Sequence, residues 1–274
     1  MSRFRKGAGS TEQHPPGRAV APAPQGTAPC SLLRSLERLL LPAECLLCRG
    51  LLPFAHADRL VCDVCRHRWR AVRPPWCPRC SQPEPLFGRC RLCASWPGAL
   101  VRVRSAVWLD DAARTAVHAL KYDGLPRLAD ELAAVTARLV PGPESPAVLV
   151  PIPLGPRRLR ARGYNQSERL AAALARRWHR PLDATLLART RDTASQTALT
   201  PAARVANVAG AFRAGPLTPG HGPGVNPPAP TLVLVDDVLT TGATLAEAAR
   251  ALEQGGARVI EAVTFGRAII PDFS

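Results

Sequence analysis

The sequence predicts an α/β fold, a parallel sheet flanked by helices, preceded by a small cysteine-rich module. Three observations carry this. From about residue 100, short apolar runs alternate with longer helical patterns, the order that lays down a parallel sheet. Residues 43–97 are rich in Cys, Pro and Arg and lack apolar periodicity, so they cannot build a hydrophobic core alone. Four Cys-x-x-Cys pairs fall inside that segment, a pattern that holds metal.

Taken in order, residues 1–30 run through Pro15-Pro16, Pro22 and Pro24 and read as a disordered tail. Arg3, Arg5 and Lys6 are not followed by an apolar stretch, so no secretory signal is expected. Leucines at 32, 33, 36, 39 and 40 predict a short amphipathic helix over Ser31–Leu41, stopped by Pro42. No apolar run approaches the ~18 residues of a membrane span, and the expected compartment is the cytoplasm, where thiols stay reduced. Val101, Val103 and Ala106–Leu109 read as strand, and Ala112–Leu120 and Leu125–Val140 as helix. Val148–Val150 is a short buried strand, Asn165–Arg177 an alanine-rich helix, and Leu182–Leu187 a further strand. Leu232–Val235 is a buried strand, Thr244–Gln254 a helix capped by Gly255-Gly256, and Val259–Phe265 the last strand. Residues 188–212 are polar and weakly patterned, the size of a functional lid. Residues 215–230 are almost wholly Gly, Pro and small polar residues, a flexible insertion. The division is thus a tail at 1–30, a cysteine module at 31–97 and an α/β domain at 98–274.

The pairs are Cys45/Cys48, Cys62/Cys65, Cys77/Cys80 and Cys90/Cys93. Each knuckle presents two sulfurs on one side of a tight turn, half of a tetrahedral site. Two knuckles complete a four-thiolate tetrahedron, which suits zinc, so two structural Zn²⁺ ions are expected. Spacing leaves open whether the pairs combine sequentially or interleave. Disulfides are disfavoured in a reducing compartment, and the closely spaced third and fourth ligands of an iron–sulfur cluster are missing. A site closed by four cysteines has no open position, so its expected role is to fold its own segment. Cys30 lies in the tail, and His56 and His67 read as solvent-facing.

The formal charge is +15, from 36 basic against 21 acidic residues, and two zinc ions held by eight thiolates would lower it to about +11. Such a surface attracts phosphates and nucleic acid without sequence preference. Almost all of the basic residues are arginines. Lys121 is the sole lysine beyond Lys6.

The sharpest motif runs from Leu232 to Thr244, LVLVDDVLTTGAT. A buried strand ends in Asp236 and Asp237, then a loop of hydroxyls and glycine opens a helix. The helix start offers free N–H groups and a positive dipole to an anion. Gly242 lets backbone approach a phosphate, and Thr240, Thr241 and Thr244 can donate hydroxyl hydrogen bonds. Adjacent carboxylates suit ribose hydroxyls or a nearby Mg²⁺. A Walker-type loop is excluded, because no Gly-Lys-Ser/Thr is present.

This motif resembles the type I phosphoribosyltransferase fingerprint. Together with the cysteine pairs, the chain resembles the ComF family, a double zinc ribbon followed by a phosphoribosyltransferase-like domain. Further matches are Leu120-Lys121-Tyr122, the run Val150–Pro153 leading to Arg162-Gly163-Tyr164-Asn165-Gln166, and Gln196 with Arg204, Asn207 and Phe212. The resemblance spans about residues 31–270. It implies that Asp236 and Asp237 bind the ribose 2′ and 3′ hydroxyls. It implies that Thr240, Thr241, Gly242, Ala243 and Thr244 hold the 5′-phosphate, that Pro151–Gly163 meets pyrophosphate, and that 188–212 is the lid. Arg157, Arg158, Arg160 and Arg162 crowd the pyrophosphate loop, which suits the anion. The two tyrosines of the chain, Tyr122 and Tyr164, fall in these short motifs beside Lys121 and Arg162. Lys121 and Arg162 are therefore the candidate catalytic residues, with Tyr164, Asn165 and Gln166 as further binding residues. Purine-specific members carry an acid where Thr240 stands, so a purine acceptor is disfavoured.

Two functions follow from the resemblance. One is binding of phosphoribosyl pyrophosphate with Mg²⁺, with transfer of the phosphoribosyl group to a nitrogen acceptor. The other is a non-catalytic accessory role in DNA uptake, with single-stranded DNA and a helicase as partners.

Overall fold

The apolar runs after residue 100 assemble into a four-stranded parallel sheet in a computed structural model, which describes residues 43–83, 90–193, 200–217 and 230–268. The strands are β1 (Leu100–Trp108), β2 (Ala147–Pro151), β5 (Thr231–Leu239) and β6 (Ile260–Arg267), in spatial order β1-β6-β5-β2. A separate antiparallel pair, β3 (Leu187–Arg189) and β4 (Phe212–Ala214), lies between β2 and β5 in the chain.

The sheet is buried on both faces, as parallel sheets require. Alternation along β5 sorts its side chains. Val233 and Val235 enter one core, while Leu232 and Leu234 enter the other. The first core is closed by α2 (Asp111–Tyr122), α3 (Leu128–Leu139) and α5 (Gln166–Trp178). Their apolar positions recur at helical spacing, as in Leu128, Leu132 and Val135 of α3. The second core is closed by α7 (Ala243–Gln254) and the β3–β4 pair.

The cysteine segment does not stand apart. Its first half contributes Cys45, Leu52, Val61, Cys65 and Trp69 to the first core, and Trp69 meets Phe265 edge-on at 5.1 Å. Its second half contributes Cys77, Cys80, Leu92, Cys93 and Trp96 to the second core. The two halves therefore cover opposite faces of one sheet. Polar ties reinforce both. The backbone N–H of Val61 donates to Glu131 of α3 at 3.1 Å. The fully buried Arg267, in β6, donates to the carbonyl of Cys80 at 2.7 Å. The described residues all belong to one compact unit, Pro42–Ser274.

The cysteine pairs combine sequentially, as Cys45, Cys48, Cys62 and Cys65, then Cys77, Cys80, Cys90 and Cys93. Within each group the four sulfurs lie within 4.8 Å of one another. The Cys48–Cys62, Cys77–Cys93 and Cys80–Cys90 sulfur separations are 3.8, 3.7 and 3.5 Å. Ligands at about 2.3 Å from one tetrahedral ion stand roughly this far apart, so both groups fit structural zinc. Arg49 and Ser81 follow Cys48 and Cys80 with left-handed φ of 61° and 57°, which turns each knuckle back on itself.

Several boundaries differ from the sequence reading. A short helix, α1 (Asp63–Arg68), begins at Cys62 inside the cysteine segment. The expected pyrophosphate loop carries a helix, α4 (Pro156–Arg162), started by Pro156 and stopped by Gly163 at φ 79°. The stretch expected as a polar lid holds β3, α6 (Pro201–Val208) and β4. The strand expected over Leu182–Leu187 is reduced to a bridge from Leu182 to Leu149 and the start of β3. The tail, the Ser31–Leu41 helix, Gln196 and residues 218–229 of the insertion lie outside the described residues.

Candidate functional site

β5 does not stop at Val235. It runs on to Leu239, so both acids sit within the strand. Their exposure to a ligand comes from the neighbour. β2 pairs with β5 only as far as Pro151 opposite Val235, and the chain then turns into Pro153–Gly155 and α4. On that side β5 loses its partner just where Asp236 begins. Ligands of open α/β sheets bind in such a gap at the carboxyl ends of the strands.

The gap opens into a cleft of about 1230 Å³. Lys121, Tyr122, Arg158, Arg162, Tyr164 and Gln166 line it from one side, and Asp236, Asp237, Thr240, Thr241 and Thr244 from the other. Gly242 and Ala243 border the adjoining hollow of the loop itself. Gly242 has φ 77°, a left-handed conformation that favours glycine, and α7 begins there with no side-chain cap. Within the loop the Ala243 N–H donates to the Thr241 hydroxyl at 3.4 Å, and the start of the helix borders the cleft through Thr241 and Thr244.

The acids are held from several directions. Lys121 Nζ lies 2.6 Å from Asp237 Oδ2, a pair in which the carboxylate is buried. Burial works to lower the Lys121 ammonium, yet Asp237 outweighs it and holds its pKa above the usual lysine value. Asp236 accepts a hydrogen bond from the Ser167 hydroxyl at 2.8 Å and from its neighbour's backbone N–H. Burial and the adjacent Asp237 charge push the Asp236 carboxyl up to about 7.

Helical spacing sorts the crowded arginines. Arg158 and Arg162, four residues apart on α4, face the cleft, whereas Arg157 and Arg160 are exposed and do not line it. Arg162 donates to Gln166 and lies over the Tyr122 ring at 5.1 Å. Asp192 accepts from the backbone N–H of Arg157 at 3.3 Å, and Arg158 donates to the Thr193 carbonyl at 2.8 Å. Asp192 and Thr193 thus rest on the start of α4.

Two sequence-level candidates hold position instead of lining the cleft with a free polar group. Asn165 caps α5 through the backbone N–H of Ser167 at 3.1 Å and donates to the carbonyl of Ile152 at 3.0 Å. Tyr164 lines the cleft, but its hydroxyl donates to the carbonyl of Leu120, tying this turn to α2. Sequence reasoning missed Ser167, whose place one residue beyond the Tyr164–Gln166 match was the available signal. It also missed Arg189, which enters the cleft from β3 with no motif around it.

The chain matches two family models. Residues 36–95 match the double zinc ribbon domain and residues 166–269 the phosphoribosyl transferase domain. It is 32% identical to the DNA utilization protein YhgH of Escherichia coli K12 over 231 residues, covering 81% of this chain and 96% of that protein. It is 33% identical to the YhgH protein of Salmonella typhimurium, with the same coverage. The competence protein ComFC of Bacillus subtilis is 28% identical over 77% of this chain and 85% of its own length.

Proposed function

Because the chain belongs to the ComF family, a double zinc ribbon joined to a phosphoribosyltransferase domain, we propose that it binds phosphoribosyl pyrophosphate with Mg²⁺ in the cleft along β5 and passes the phosphoribosyl group to a nitrogen acceptor. One observation carries this reading. The paired acids of β5, the threonine- and glycine-lined start of α7 and the inward arginines of α4 converge on a single cleft.

Each part has a task in that reaction. The first-turn amides of α7 and the hydroxyls of Thr240, Thr241 and Thr244 take the 5′-phosphate. Asp236 and Asp237 accept from the ribose hydroxyls, with Lys121 fixing the second acid. Arg158 and Arg162 face the leaving diphosphate. The cation neutralises charge on that diphosphate when bound. Asp236 and Asp237 are the only carboxylates among the described lining residues, so they are the residues that would hold the cation, with Asp237 already paired to Lys121. The reaction displaces diphosphate from C1 of the ribose by the acceptor nitrogen, and the protein contributes position and field.

Calorimetric titration with phosphoribosyl pyrophosphate and Mg²⁺ tests the binding. Affinity is expected in the wild type and lost in Asp236→Asn/Asp237→Asn. Absence of affinity for any ribose 5-phosphate compound would sink the reading. Diphosphate release on adding members of a panel of bases and amines then identifies the acceptor.

The names of the relatives, a DNA utilization protein and a competence protein, favour a second reading, an accessory role in handling DNA, for which we infer single-stranded DNA and a helicase as partners and the cytoplasm as compartment. Among the described residues no helix is long and apolar enough to cross a membrane. Salt-sensitive binding of single-stranded DNA that survives the double Asp substitution would support this second role.

A further inference from the structure

One indole joins the second cysteine group to the rim of the cleft. Trp96 follows Cys93 by three residues, its backbone N–H donates to the Cys93 carbonyl at 3.3 Å, and its side chain is buried. A Cβ added to Gly242 would lie 2.2 Å from Trp96 Cζ2 and 2.9 Å from Cε2. The ring therefore fills the space that any side chain at 242 would need. Glycine is required there twice over, for its positive φ and for the indole behind it.

The backbone that carries the ring is held. Arg79, between Cys77 and Cys80, donates to the carbonyls of Cys93 at 2.9 Å, Trp96 at 3.2 Å, Pro97 at 2.6 Å and Leu100 at 3.0 Å. The N–H of Ala99 then donates to Glu253 at 2.9 Å. The segment after Cys93 thus touches both ends of α7, the indole at its start and Ala99 near its finish. Trp96 does not line the cleft, so it reaches a ligand there only through the loop.

We propose that Trp96 is a positioning residue for the phosphate loop: the second zinc ribbon sets the backbone of Gly242, and with it the aim of the first-turn amides of α7, through this one side chain. The inference rests on the reading of that loop as the phosphate grip. Removing the indole frees Gly242 to move by fractions of an ångström to an ångström, and misplacement of that size in a binding constellation costs up to roughly a hundredfold.

The test is calorimetric affinity for ribose 5-phosphate in wild type, Trp96→Phe, Trp96→Ala and Trp69→Phe. The last removes an indole from the opposite core. Trp96→Ala is expected to weaken binding on the order of tenfold. Trp96→Phe restores most of it, and Trp69→Phe keeps wild-type affinity despite a lower melting temperature. Ligand-induced change in indole fluorescence is expected in wild type and lost in Trp96→Phe. Gly242→Ala is expected to be milder on a Trp96→Ala background than alone, because the clash is gone. If Trp96→Ala does not fold, Trp96→Leu and the fluorescence comparison take its place. Wild-type affinity in a folded Trp96→Ala or Trp96→Leu overturns the proposal and spares the cleft reading. So does a loss of affinity that tracks melting temperature equally across the Trp96 and Trp69 variants. Failure of the wild type to bind overturns the cleft reading, and the proposal with it.

Discussion

Asp236 and Asp237 are neighbours in one strand, yet their surroundings give them different charges to manage. Asp237 is almost fully buried, and the Lys121 ammonium lies against it at 2.6 Å. Lys121→Met would leave a buried carboxylate without its cation, a loss of about 3–5 kcal/mol. Denaturant unfolding should show that loss at neutral pH. The Lys121→Met/Asp237→Asn pair should recover most of it, since the stranded charge is gone. The stability that Lys121 brings is present below the ordinary lysine pKa and fades only as pH rises through its elevated folded value, so wild type should show no loss from this pair between pH 6 and 9. Asp236 works with the opposite sign. Its carboxyl titrates near 7 in the folded chain, above the usual carboxylate range. The folded state therefore loses stability as pH rises from about 4 to about 7, and the cost is complete above that. Asp236→Asn removes the charge, so its melting temperature should exceed wild type by at least about 2 °C at pH 8. That gain should vanish near pH 4. An equal gain at both pH values would remove the electrostatic explanation.

At the level of elements, the legible parts were those with strong periodicity or a dense motif. The alanine-rich pattern after Asn165 gave α5, and the run ending in Asp236 gave β5, because buried apolar spacing leaves few alternatives. The Pro156–Arg162 stretch reads as a loop, since its one large apolar residue, Leu159, is flanked by arginines. Pro156 at its first turn and Gly163 at its end were the helix signals. This changes what the arginines do. A loop would present all four to the anion, whereas the helix turns Arg158 and Arg162 inward and Arg157 and Arg160 outward. Arg158→Ala and Arg162→Ala should each weaken phosphoribosyl pyrophosphate binding by about tenfold, the worth of a charge-assisted hydrogen bond. Arg157→Ala and Arg160→Ala should stay within about twofold, as exposed charges do. Ribose 5-phosphate, which lacks the diphosphate, should distinguish the two pairs far less. Equal losses for all four would mean that the segment acts as an open loop.

For the molecule as a whole, the eight paired cysteines announce metal but not their place in the architecture. Cys-x-x-Cys spacing is local, and nothing in it says which pairs join or which surface they cover. Those facts depend on tertiary burial, on residues such as Trp69 beneath Phe265 and Arg267 beneath Cys80. The consequence concerns stability. The first group supplies part of one core and the second group part of the other, so the sheet is covered on each face in part by a cysteine half. Zinc stripped from a freestanding ribbon would melt the ribbon and leave the remaining domain intact. Zinc stripped from this chain would uncover Val107, Phe265 and Val263 on one side and Val103, Leu100 and Ile260 on the other. Calorimetry of the zinc-loaded protein should therefore give one cooperative transition for the described body, with two zinc atoms per chain by elemental analysis. Chelation should lower that single transition and abolish ribose 5-phosphate binding together, because binding free energy at such sites is folding free energy. A chelated protein that lost only a small separate transition, and still bound the sugar phosphate at full strength, would show that the sheet stands without its cysteine halves.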